Sequence, residues 1–410
     1  MKVLLYSDLQ EQVEKSGVGK AIHHQMDALD SVGIEYTTDP KDDYDLVHLN
    51  TIFPGSIVVA MQAKNDDKPV VYHAHSTEED FKNSFIGSNM VSGLFKSWIK
   101  TCYETGDIIL TPTEYSKALL ESYDIQKPIY VVSNGIDLDF WKATEEEKID
   151  FRKKYQIAEN EKLIISVGLI IKRKGVIDFI EMAKALPEYK FMWFGNFNLN
   201  MVPRDVRVAV ENAPSNLIFP GYISSDELRV AYGASDCYVF PTYEETEGIV
   251  LLEALASKAN TIIRDIPIYK TWFTNKVDIY KAKYLYEFIK TIDNIVKGEI
   301  PSLVDKGYEK AQEKSIDKVG EKLKGYYEMA LEKNTIKVEQ RKSQEISFDK
   351  VKDKLKSSYE QMIDDIFDYH EGMSKEISFE MLGERLKQIY ENLTADKRSE
   401  NEEDNKLDED

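Results

Sequence analysis

A succession of short, unbroken apolar runs constrains the fold of this chain more than any other feature. Lys2–Tyr6 (KVLLY), Asp45–Leu49 (DLVHL), Pro69–Tyr72 (PVVY), Asp107–Leu110 and Ile129–Val132 form a first series. Lys162–Val167 (KLIISV), Phe191–Phe194, Leu217–Phe219, Asp236–Phe240 and Thr261–Arg264 form a second. Runs of this length without alternation fit strands buried on both faces, as in parallel sheets covered by helices. Helical spacing between them, at Lys20–Leu29, Thr111–Tyr123 and Ser225–Tyr232, gives the βα alternation of an α/β fold. A length of 410 residues suits two such domains with an addition.

The charge balance is 53 basic against 73 acidic residues, a net of −20. That argues against nucleic acid as a partner, because no excess of cations is available to neutralise phosphates. Cys102 and Cys237 are far apart and fit neither a disulfide framework nor a zinc spacing. A reducing cytoplasm is therefore expected. Val3–Tyr6 is too short for a secretory leader, and no apolar run is long enough to span a bilayer. Any membrane association is expected to be peripheral.

Two stretches carry candidate chemistry. Pro241–Lys258 (PTYEETEGIVLLEALASK) reads as an acidic loop that enters a helix after Gly248. A helix N-terminus offers unpaired amides and a positive dipole end, which suit a diphosphate. Glu245 sits on the loop side of such a site and Glu253 about two turns deeper, and carboxylates accept hydrogen bonds from sugar hydroxyls. The alternative is a helix with a polar lip and one satisfied buried glutamate. The strand Pro69–Tyr72 delivers His73 and His75 to its C-terminal end, the edge where open α/β sheets bind ligands. A histidine there can donate to a sugar or phosphate oxygen.

Met90–Cys102 reads as an amphipathic helix, with Met90, Leu94, Phe95, Trp98, Ile99 and Cys102 apolar. Lys96 and Lys100 flank it and Lys82 lies upstream, so the segment is locally basic within an acidic protein. Trp, Phe and Lys together suit a membrane interface, and an ordinary core-covering helix fits the same pattern.

Pro241–Lys258 resembles the E-x7-E signature of retaining GT-B glycosyltransferases of family 4, with Glu245 and Glu253 as its glutamates. The resemblance implies that Glu245 contacts the transferred sugar and Glu253 the nucleotide ribose. Glu247 stands where that family usually has Phe. Ser16-Gly17-Val18-Gly19 resembles the glycine loop facing the donor phosphate, with Gly17 at that position. Gly168–Gly175 (GLIIKRKG) resembles GRLxxxKG, placing Lys174 on the family lysine; Leu169 replaces the family arginine, which leaves Arg173 as the candidate guanidinium. Ser133-Asn134-Gly135-Ile136-Asp137 resembles the NGVD segment that ends the first domain. His75 aligns with the functional histidine, and the backbone near Ile223 with the border of the nucleobase.

The same resemblance implies a GT-B fold, two Rossmann-like domains facing a cleft, 1–158 and 159–333, whose last helix, Ile316–Leu331, crosses back to the first. Residues 334–393 are expected as a helical extension packing on the body or on a partner protein. Residues 394–410 are expected as a disordered acidic tail. The segments KSGVGKAI, HSTEEDFKNSFIGSNM and PIYVVSNGIDL narrow the resemblance to the second hexosyltransferases of bacterial glycolipid synthesis, which add a hexose to monoglucosyl-diacylglycerol.

The activity implied is retaining transfer of glucose or galactose from a UDP-hexose, at the inner face of the cell membrane. Lys174, Arg173 and the amides of Gly248, Ile249 and Val250 would stabilise the leaving diphosphate. UDP-hexose is a substrate, no cofactor is implied, and no Asp-x-Asp pair follows a strand to hold a metal. Lys82, Phe95, Lys96, Trp98 and Lys100 would face an anionic membrane that presents the glycolipid acceptor. A family 4 enzyme with a cell-wall or protein acceptor, and a non-catalytic GT-B partner subunit, are the competing readings.

Overall fold

In a computed structural model, residues 1–8, 13, 16–196 and 198–341 are described, the side chains as far as 335. The first series of runs forms β1 (Lys2–Tyr6), β2 (Glu35–Thr37), β3 (Leu46–Leu49), β4 (Val70–His73), β5 (Ile108–Thr111) and β6 (Ile129–Val131). The second forms β7 (Leu163–Val167), β8 (Lys190–Phe194), β9 (Leu217–Gly221), β10 (Cys237–Phe240), β11 (Thr261–Arg264) and β12 (Tyr280–Ala282). Each set makes one parallel sheet, in the orders β2-β1-β3-β4-β5-β6 and β12-β11-β10-β7-β8-β9. Helices flank both sheets, giving the two Rossmann-like domains of a GT-B architecture. Strand order reverses at β1 and β7, and the C-terminal ends of strands at such a reversal are where open α/β sheets bind ligands. Sequence reading misses β2 and β12. Both are three-residue edge strands, EYT and YKA, which lack an unbroken apolar run because only one neighbour covers them.

The chain changes domain at Ile136 and returns at Ser315, and the two crossings are bonded to each other. Ile136 N donates to Lys314 O (3.0 Å), and Ile316 N to Ile136 O (3.2 Å). Trp141, Phe151 and Ile157 already pack in the core of the second sheet. Packing therefore shifts to the second body well ahead of position 158. Phe151 lies on the helix Glu145–Lys154, whose N-terminus is closed by a capping box between Thr144 and Glu147.

The helix Ile316–Arg341 returns to the first domain and lies on the helix Gly17–Ser31. Gly320 makes the close approach possible, since a Cβ there would stand 2.3 Å from the Ala28 carbonyl oxygen. Val319, Leu323, Tyr327 and Ala330 join Val3, Leu5, Leu29 and Val71 in one core. The crossing helix thus runs through the expected boundary at 334. The remainder of the expected extension and the acidic tail lie outside the described residues.

Tyr327 also reaches a buried polar layer. Its hydroxyl lies 2.6 Å from His48 Nδ1, and His48 Nε2 lies 3.2 Å from His73 Nδ1. Burial pushes the His48 imidazole down to about 3 and His73 well below the ordinary histidine value. In the unfolded chain both protonate at about pH 6.5. Between those limits the unfolded chain binds more protons than the folded one. Stability is therefore complete above about pH 6.5 and falls as the pH drops toward about 3, by up to about 1.4 kcal/mol per pH unit for each imidazole. We predict a lower Tm at about pH 5 than at about pH 7, with a shallower decline in His48→Gln. Parallel declines in parent and variant would contradict this origin.

Candidate active site

The loop after β10 and the helix Ile249–Ala256 form the second domain's wall of the cleft. Gly248 starts that helix with φ +89°, and a Cβ there would crowd Phe240 and the Tyr269 hydroxyl, each at 3.0 Å. The bend presents the first-turn amides of Ile249 and Val250 ahead of the first internal bond, from Leu251 N to Gly248 O (2.9 Å). Lys174 ends a 3₁₀ turn, Lys172–Lys174, after β7. Its ammonium pairs with the Glu245 carboxylate, which also accepts from Thr242 Oγ1 (2.9 Å). Burial pulls the Lys174 ammonium below the ordinary lysine value, with Glu245 opposing. The fold thus joins two residues nominated separately from the sequence.

Glu253 is fully buried one helix turn below the amides. It accepts from Lys20 Nζ (2.6 Å) and from the Tyr232 hydroxyl (3.1 Å). Lys20 belongs to the first turn of Gly17–Ser31 in the opposite domain, whose N-terminus Ser16 caps through Gly19 N (3.3 Å). Lys20 therefore bridges the cleft to the carboxylate expected to hold a ribose. Sequence reading quotes Lys20 within KSGVGKAI without assigning it, because no local signal shows its partner 233 positions away. Gly17 is exposed at the cleft end of its helix, and Ile223 packs half-buried against the core of the second domain.

Arg173 departs from its expected place. Its guanidinium is buried and committed to Asp80 Oδ1 (2.7 Å), the Glu244 carbonyl (2.8 Å) and Ser84 Oγ (3.2 Å). It is a tie between domains here, not a free cation for a diphosphate, because Asp80 of the first domain lies directly opposite. Beside it, burial raises the Glu244 carboxyl to about 7; Tyr115 opposes the shift, and Asp80, Glu245 and Glu79 add to it.

Glu247 explains its own presence where the resemblance leads one to expect Phe. It is fully buried and receives Ser133 Oγ (2.5 Å), Asn134 N (2.9 Å) and Asn134 Nδ2 (2.8 Å). The carboxylate clamps the turn that ends the first domain. Nearby, Thr113 Oγ1 donates to the Thr246 carbonyl (2.8 Å).

His75 lies half-buried just past β4 in the first domain. Its Nε2 is 3.0 Å from Asn50 Oδ1, and its ring stacks on His73 at 4.2 Å between centroids and 2° between planes. Burial pushes its imidazole down to about 3, so the ring is neutral at physiological pH.

The proposed membrane face is rearranged. Trp98 is buried, and its indole donates to the Ile52 carbonyl (2.8 Å), so it belongs to the core; a buried indole N–H needs such a partner. Phe95 is half-buried and stacks on Phe81 at 4.0 Å. The exposed apolar side chains of the helix Ser88–Tyr103 are Met90 (68%) and Leu94 (40%). Lys82 and Lys96 share Glu78 (2.8 and 3.6 Å), and Lys100 lies near Asp124 (3.6 Å) and Glu104 (3.9 Å). Among the described residues no helix is long and apolar enough to cross a membrane.

Comparison with known proteins gives the family and the fold. The family model for glycosyltransferase family 4 matches residues 35–140, and that for glycosyl transferases group 1 matches 147–314. A processive diacylglycerol alpha-glucosyltransferase of Acholeplasma laidlawii is 43% identical over 329 residues, covering 80% of this chain and 98% of that protein. An alpha-galactosylglucosyldiacylglycerol synthase of Streptococcus pneumoniae is 26% identical, covering 55% of this chain and 62% of that protein. In fold, the chain is similar to Anabaena HepE in complex with UDP-glucose, with TM-score 0.65 and 13% identity over 80% of this chain and all of that one. Sucrose-phosphate synthase of Thermosynechococcus elongatus gives TM-score 0.66 and 16% identity, covering 80% of this chain and 98% of that one. With a 43% identical relative matched along nearly its whole length, this chain belongs to glycosyltransferase family 4.

Proposed function

We propose that this protein transfers glucose from UDP-glucose to monoglucosyl-diacylglycerol, with retention, at the cytoplasmic surface of the membrane. The observation that carries the reading is the Lys174–Glu245 pair beside the amides of Ile249 and Val250, with Glu253 below them. The 43% identical relative is named for alpha-glucosyl transfer to diacylglycerol lipids, which favours glucose over galactose. The glucose of UDP-glucose is itself α-linked, so an α-product corresponds to retention.

The chemistry is set by the charges present. A diphosphate entering at the amides gives Lys174 a second anionic partner and loosens its hold on Glu245. The glutamate oxygens are then available to sugar hydroxyls. As the sugar–phosphate bond breaks, negative charge grows on the leaving oxygen, where Lys174 and the amides act in a water-poor site. The acceptor hydroxyl attacks from the same face, and the departing phosphate oxygen takes its proton. Glu245 and His75 orient the sugar without forming a bond to it. Glu253 holds the ribose once Lys20 is displaced.

We further infer that Met90 and Leu94 enter the lipid interface, flanked by Lys82, Lys96 and Lys100. Inserting two such side chains contributes about 1.5–3 kcal/mol each if fully buried. The lysines, already matched with carboxylates, contribute less than the roughly 1 kcal/mol expected of a free one.

Incubation with labelled UDP-glucose and vesicles of monoglucosyl-diacylglycerol in anionic lipid is expected to yield a diglucosyl lipid. Transfer of galactose alone, or no lipid product, would contradict the proposal. In Glu253→Ala, donor affinity measured by calorimetry should weaken more than turnover slows, because a ribose contact is made in ground and transition states alike. Glu245→Ala should lower kcat at least roughly tenfold, about 1.4 kcal/mol of lost transition-state contact. Met90→Ser with Leu94→Ser should reduce sedimentation with anionic vesicles more than Lys96→Glu with Lys100→Glu does. The reverse order would place the membrane contact in the lysines.

A further inference from the structure

Asn50 follows β3 and Gln25 lies on the helix Gly17–Ser31; both are buried. Their carboxamides form a reciprocal pair, Gln25 Nε2 to Asn50 Oδ1 at 2.8 Å and Asn50 Nδ2 to Gln25 Oε1 at 2.9 Å. Each amide therefore fixes the orientation of the other. Gln25 Nε2 also points at His73 Nδ1 (3.1 Å), which His48 Nε2 approaches as well (3.2 Å). With Gln25 Nε2 as the donor, His73 Nδ1 is an acceptor, and His48 Nε2 donates to it as well. His48 Nδ1 then accepts from the Tyr327 hydroxyl (2.6 Å), and Asn50 Oδ1 accepts from His75 Nε2 (3.0 Å). In this orientation of the amide pair all three imidazoles take the Nε2–H form, the tautomer that neutral histidine favours by itself, and His73 Nε2 is a buried N–H without a partner among the described residues. The three rings are also stacked, His48 on His73 at 5.4 Å and 8°, and His73 on His75 at 4.2 Å and 2°.

We propose that Asn50, held by Gln25, sets the tautomer and the plane of His75 and so is a positioning residue for sugar transfer. The proposal rests on the reading that His75 touches the transferred sugar. With Nε2–H given to Asn50, His75 presents Nδ1 as a lone-pair acceptor with no partner among the described residues. On a half-buried ring at the end of β4, that is the atom open to a sugar hydroxyl. The titratable groups that face the ring are His73, stacked on it, and His48 beyond; burial holds both neutral. The Tyr103 hydroxyl, next in the wall, is engaged with the Ser76 carbonyl (2.9 Å).

The first test uses the full chain with ¹⁵N-labelled histidine and needs no substrate. The His75 resonance is identified by its loss in His75→Gln. A protonated Nε2 and a bare Nδ1 between about pH 8 and about pH 5 are expected. A protonated Nδ1, or equal population of both forms, overturns the proposal. The second test is kinetic, with UDP-glucose and glycolipid vesicles. Asn50→Ala should lower kcat at least roughly tenfold with donor affinity unchanged, as expected when a ring loses its orientation. Asn50→Asp keeps the acceptor, so kcat should recover toward the parent value above about pH 8. Its carboxylate also favours imidazolium, so kcat should fall as the pH drops through neutrality, where the parent stays level. An Asp variant as impaired as Ala at every pH, or with the parent profile, overturns the proposal. If Asn50→Ala does not fold, the tautomer and the Asp profile still decide. Absence of any lipid product from the parent enzyme would count against the proposed acceptor and leave the tautomer measurement standing.

Discussion

Buried carboxylates at the junction of the two domains need partners, and the chain supplies those partners from the opposite side. Glu253 and Glu247 are fully buried, and an unpaired carboxylate so placed would cost several kcal/mol. Lys20 answers the first; Ser133 and Asn134 answer the second. Arg173 of the second domain answers Asp80 of the first. These contacts tie the two domains together across the cleft. On the proposed reading, a nucleotide sugar exchanges its ribose hydroxyls for the Lys20–Glu253 contact.

The division of labour follows from this junction. The second domain supplies groups suited to a diphosphate, Lys174 and the amides at Gly248, on a rigid strand–turn–helix element. The first supplies His75 on the facing sheet edge and an exposed apolar ridge at Met90 and Leu94. The crossing helix Ile316–Arg341 reaches the same region, because Tyr327 ends the histidine column whose other end is His75. A helix far along the sequence thus takes part in fixing the polar layer beneath the cleft.

The central strands of both sheets and the loop-to-helix turn at Gly248 were legible in the sequence, and so were Lys174, Glu245, Glu253 and His75 as candidates for the proposed site. Each rests on a local pattern: an unbroken apolar run, a glycine before a helix, or a motif of fixed spacing. Local pattern misled where side-chain direction mattered. Trp98 sits on an amphipathic helix and reads as an interface anchor, yet its indole faces a backbone carbonyl in the core. Periodicity shows that a face is apolar; it does not show what covers that face.

By itself the sequence determined the succession of strands and helices and the placing of charged residues at strand ends, because those depend on neighbours a few positions apart. Only the tertiary structure decided which charges meet. Lys20 and Glu253 are 233 positions apart, and Ser133 and Glu247 are 114. Their pairing, and with it the diversion of Arg173 to Asp80, arises when two sheets close on one cleft. Burial then obliges each charge to find a partner that no local spacing encodes.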